Sequence, residues 1–190
     1  MKKRFLAALM AVAVAAGTVA GGTWAYLTSK TETVENVFTV GKVKIDLTEN
    51  TGEKGDKNQR QYKMVPGNDI KKDPTVTVLA SSEECYVIVE VKESADLNGF
   101  VTWEIGEGWT ELPSGGIGGP KRWWRIVPAA DQDQKFGILK ENTLKVKETV
   151  TSEMMEKIED GKNYPTLEFK AYAIQRANVR NESDAWDKLN

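Results

Sequence analysis

The feature that most constrains this chain is a run of strict alternation: Val43, Ile45 and Leu47 interleave with Lys42, Lys44 and Asp46. Successive side chains on a strand point to opposite faces, so period two places one face in a core and the other in water. Similar signals recur. Residues 75–79 and 86–91 are β-branched runs joined by Ser81-Ser82-Glu83-Glu84, and they read as a pair at the centre of one sheet. A hairpin is expected with strands near 108–112 and 122–127, around a glycine-rich loop at 114–120. Further strands fit 136–139, 144–150 and 167–174. In 64–68, Pro66 presets φ and Gly67 supplies the positive φ of a type II turn. The stretch 50–61 has no apolar residue and reads as a solvated loop. Helix signals are confined to 152–159, with Thr151 or Ser152 as cap, and to a short segment around 183–189. About eight to ten short strands separated by turns predict an all-β fold, a jelly-roll-like β-sandwich with one or two short helices.

The N-terminus bears on compartment. Lys2, Lys3 and Arg4 precede an unbroken apolar run over 5–16, followed by small residues and glycines to Gly22. That is the three-part build of a secretory signal, expected to span 1–26. A retained anchor is the competing reading, since a span needs about 20 apolar residues; Gly17, Thr18, Gly21, Gly22 and Thr23 weaken it. Without residues 1–26 the chain keeps 23 basic against 28 acidic residues, a net charge of −5. A mildly acidic surface without a basic stripe speaks against nucleic acid as a partner.

The chain has no histidine and one cysteine, Cys85. Ser-His-Asp and Cys-His machinery and histidine-based zinc sites are therefore excluded. Cys85 opens an apolar strand-like run, where a buried inert thiol competes with a reactive one. Asp131-Gln132-Asp133 begins like a calcium loop, but Lys135 and Phe136 occupy the next ligand and turn positions. The glycine-rich loop has no following Lys-Ser/Thr or helix to cradle phosphate. No spacing singles out a carboxylate pair. No catalytic residue, cofactor or metal site is expected.

Two stretches invite an interaction reading. Trp123 and Trp124 are adjacent, so on a strand they face opposite ways. Either the sheet is covered on both sides there or one indole forms a contact surface for protein or sugar. Residues 27–38, with Leu27, Val34, Val37 and Phe38 as sparse apolar points, form an extended segment ahead of the sandwich domain at 39–190. Such a segment can add to a sheet edge of its own chain or of a neighbour, or fray.

Three motifs occur in order: Gly21-Gly22-Thr23-Trp24-Ala25-Tyr26, then Asn36-Val37-Phe38-Thr39-Val40-Gly41-Lys42 leading into the first alternating strand, then Val65-Pro66-Gly67. Together they resemble the TasA/camelysin family over roughly residues 1–92. The resemblance implies processing by a SipW-type signal peptidase, here near Ala25, Tyr26 and Leu27, and a jelly-roll domain at the cell surface or in a biofilm matrix. It also implies fibres in which one subunit's N-terminal strand completes the next subunit's sheet, with 27–38 as the donor. Leu27-Thr28-Ser29 replaces the family's usual aromatic-Thr/Asn-Asp pattern after the cleavage site. Some members carry a metalloprotease label, for which this chain offers no histidine and no metal-binding helix motif. The expected function is an exported structural protein partnering itself and other matrix proteins. The alternative is a surface adhesin or glycan-binding module using a tryptophan face.

Overall fold

The computed structural model describes residues 26–28, 43–54, 59–113, 119–161 and 163–189. The strands are β1 (Tyr26–Thr28), β2 (Ile45–Thr48), β3 (Glu53–Lys54), β4 (Gln59–Gln61), β5 (Asp69–Lys71), β6 (Thr75–Val78) and β7 (Cys85–Glu93). After a one-turn helix α1 (Leu97–Phe100) come β8 (Val101–Thr102), β9 (Thr110–Leu112), β10 (Lys121–Val127), β11 (Gln134–Gly137) and β12 (Thr143–Val146). Helix α2 (Ser152–Gly161), β13 (Leu167–Gln175) and helix α3 (Glu182–Leu189) complete the described chain. The molecule is mostly strand, in antiparallel sheets, with few short helices, as the alternation predicts.

One layer is the sheet β13-β7-β10-β9. Its centre, β7, is paired along all nine residues with β13 and from Cys85 to Val91 with β10. Both faces of β7 are covered, which is why its sequence runs apolar instead of alternating. Cys85, Val87, Val89 and Val91 join Trp123, Leu167 and Phe169 in the main core. Tyr86 and Ile88 point the other way, into a second cluster roofed by α3 through Ala185, Trp186 and Leu189.

The facing layer contains two three-stranded sheets, β11-β6-β2 and β5-β12-β8. They are halves of one bent ribbon. β5 runs on into β6 and β11 into β12, and hydrogen bonds cross the bend from Lys72 N to Asn142 O (2.8 Å) and from Ile138 N to Pro74 O (2.9 Å). Three residues on one strand oppose five on the other, with Glu141 and Asn142 both at φ 53°, so the bend is a bulge that turns the ribbon over the core. Ile45, Leu47, Ile70, Val76, Val78, Leu144 and Val146 fill the space between the layers.

The expected pair 75–79 and 86–91 is corrected here. β6 and β7 do not pair; each is the centre of its own layer. The link between them crosses from one layer to the other, with Ser81 at φ 60° and its N–H bonded to Ala130 O. Burial periodicity is identical for an in-sheet turn and a crossing between layers, so the sequence carried no sign of the difference. The loop at 50–61 is also corrected in part: within it, β3 and β4 pair as a hairpin.

Other local readings hold. Asn68 N bonds Val65 O at 3.0 Å with Gly67 at φ +79°, the expected turn. β9 and β10 form the expected hairpin. Thr151 caps α2, its Oγ1 accepting from Met154 N at 3.3 Å, and Asn181 caps α3 through Asp184 N at 2.8 Å. Cys85 is buried, and burial pushes its thiol up to about 12, so it is an inert core residue.

Candidate functional site

The N-terminal strand and the hairpin that receives it form a separate small sheet, ordered β1-β4-β3. Tyr26, Leu27 and Thr28 stand opposite Gln61, Arg60 and Gln59. On its other side β4 meets, among the described residues, only the two residues of β3. β1 also passes beside β13, an edge strand of the large sheet. The N-terminal strand thus closes a hairpin that would otherwise present an open edge.

A buried polar cluster ties this hairpin to the sandwich. Ile45, Leu47 and Glu49 follow one another on the inward face of β2 and its extension, and Ile70 and Lys72 do the same on β5 and just beyond it. The alternation that buries the apolar residues therefore carries a carboxylate and an ammonium into the core. There they meet: Lys72 Nζ lies 2.6 Å from Glu49 Oε1, with side chains 0% and 2% exposed. The Tyr62 hydroxyl donates to the same Oε1. Lys72 Nζ also sits over the rings of Tyr62 (5.0 Å) and Phe169 (5.2 Å).

Around this centre the hairpin is pinned by its backbone. Asp73 Oδ1 accepts from the N–H groups of Asn50 and Thr51, each at 2.9 Å, and from Thr51 Oγ1 at 2.8 Å. Arg60 Nη2, on β4 itself, donates to Glu49 O at 2.5 Å. Gly52, at φ +81°, lies so close to the Tyr62 ring that an added Cβ would come within 2.7 Å of it. Burial pulls Lys72 down to about 8 against the pull of Glu49. Burial pushes Asp73 up, but the hydrogen bonds from Thr51 and Asn50 outweigh it and leave the carboxyl below its usual range.

Burial, with the bond to Glu49 beside it, raises the Tyr62 hydroxyl far above its ordinary value of 10.0. The native chain therefore holds a proton that the unfolded chain releases first. The corresponding stability is whole below pH 10.0 and is lost as pH climbs toward the raised native value. Tyr62→Phe is expected to cost about 1–2 kcal/mol at neutral pH. It should also flatten the alkaline decline, as read from urea unfolding at neutral pH and above pH 10.0.

Of the residues singled out by sequence, Tyr26 and Leu27 lie on β1. Ala25, Val34, Val37 and Phe38 fall outside the described residues. Trp123 and Trp124 do point to opposite faces, and the sheet is covered on both. Trp123 is 8% exposed in the main core, edge-on to Trp103 at 5.6 Å. Trp124 is half-buried in the second cluster, 5.8 Å from Tyr86. Neither is an open stacking platform. Sequence reasoning missed Glu49, Tyr62 and Lys72; the signal was a charged residue standing at the next inward position of two alternating strands.

No family model, no curated protein and no solved structure matches the chain.

Proposed function

We propose that this chain is an exported structural subunit of a cell surface or extracellular matrix, a jelly-roll-like sandwich that joins copies of itself by exchanging its N-terminal strand. Processing by a SipW-type signal peptidase near Ala25, Tyr26 and Leu27 would free that strand, and other matrix proteins would meet the same edge. The observation that carries the reading is the position of β1. Among the described residues it is a three-residue edge strand on β4, and β4 is otherwise held only by the two-residue β3. An edge so thinly closed accepts the equivalent strand of a second copy through the same backbone ladder. A head-to-tail exchange of this kind repeats without closing and produces a filament. The buried cluster keeps the receiving hairpin formed whichever copy supplies the strand.

Thr28 and Gln59 stand opposite each other, which gives a direct test. Thr28→Cys and Gln59→Cys chains are mixed before assembly and oxidised after it. A disulfide between the two different chains is the expected product. Its absence, with the double variant closing only within one chain, would overturn the proposal. The buried Cys85 takes no part.

A further inference from the structure

We infer that Lys72 and Glu49 condense into an intramolecular amide, a covalent staple between the end of β2 and the β5–β6 bend. Taken as an ion pair, the site is poorly served. The ammonium has three N–H donors; Glu49 Oε1 accepts one, and the faces of Tyr62 and Phe169 line the space around the nitrogen. Among the described residues, Glu49 Oε2 is buried with no hydrogen-bond partner. The other charges nearby are engaged elsewhere: Arg60 with the Glu49 main-chain carbonyl, Asp73 with Asn50 and Thr51. Two full charges held in such surroundings are costly unless every polar atom is satisfied.

The chemistry follows from the same contacts. Transfer of a proton from Nζ to the carboxylate leaves a neutral amine beside a neutral acid, and burial already favours the neutral amine. The Nζ lone pair adds to Cδ, forming the C–N bond. The Tyr62 hydroxyl, donating to Oε1, stabilises the charge that gathers there. The intermediate collapses by breaking the bond from Cδ to Oε2, and that oxygen leaves as water with the proton lost by nitrogen. The unpartnered atom is the one expelled. Oε1 remains as an amide carbonyl still bonded to Tyr62, and no charge is left in the core. Contact between the reacting groups substitutes for activation of the acid, and exclusion of water opposes hydrolysis. The staple closes the segment that carries β3 and β4, the cross-link that a chain with one cysteine cannot make by disulfide.

The test is the intact mass of the purified full chain under denaturing conditions, followed by tryptic mapping. The expected result is a mass one water below that of the sequence. The digest should contain a branched product joining peptide 45–54 to peptide 72–92. Full mass would overturn the inference. So would a water lost elsewhere, as by cyclisation at Asp160-Gly161, with peptide 45–54 recovered separately from 73–92, since an unmodified Lys72 is itself a cleavage site.

Discussion

Lys72→Ala is expected to lower the unfolding free energy by about 3–5 kcal/mol. Whether its nitrogen is ionic or acylated, removing the side chain strands the Glu49 carboxylate in a core where one of its oxygens already lacks a partner among the described residues. It also takes the packing away from Phe169, which is fully buried. The penalty belongs to the orphaned carboxylate, so removing both groups should undo most of it. Lys72→Met combined with Glu49→Leu is expected to recover the orphaned-carboxylate penalty, because apolar residues of similar volume replace the buried pair, and to fall short of the parent by what the covalent staple contributes. Urea unfolding of the three proteins separates the contributions. A single substitution costing less than about 1 kcal/mol, in the range of an exposed pair, would contradict the burial on which the cluster rests.

The second large effect is expected at Trp123. Trp123→Ala removes an indole packed opposite Val89 and against Trp103, between two layers that cannot close over the space, and should cost about 3–5 kcal/mol. Trp124→Ala, on the half-buried outer face, is expected to cost about 1–3 kcal/mol. It should act chiefly on α3, whose Trp186 packs edge-on against Tyr172 at 5.3 Å and under the Arg122 guanidinium. Equal costs at the two positions would mean that the outer cluster is as closely packed as the core. Near-universal tolerance at both would mean that neither face is covered.

How far the sequence reaches is visible in these same residues. Adjacency alone places Trp123 and Trp124 on opposite faces; that α3 roofs the outer one depends on chain returning from far away. The inward positions of Glu49 and Lys72 can be read from the alternation through Ile45, Leu47 and Ile70. Their meeting cannot, because it depends on the ribbon bending at Lys72 and Asn142, where β5 gives way to β6. Turns and caps were legible because each is decided within a few residues, as at Val65–Asn68 and Thr151. The partition of β6 and β7 into different layers was not, since a strand's burial pattern names its inward face and not its neighbours. The hairpin β3–β4 escaped for another reason: a polar strand with little apolar surface has no period to show, and it is held by Asp73 and Arg60 instead.

The central claim is assembly through the N-terminal strand, and negative-stain microscopy of purified 27–190 beside 39–190 tests it most directly. The shorter chain keeps the large sheet, the bent ribbon and the receiving hairpin, and lacks only what lies ahead of residue 39. Filaments from 27–190 and dispersed particles from 39–190 are the expected result. Dispersed particles from both at high concentration would contradict strand exchange.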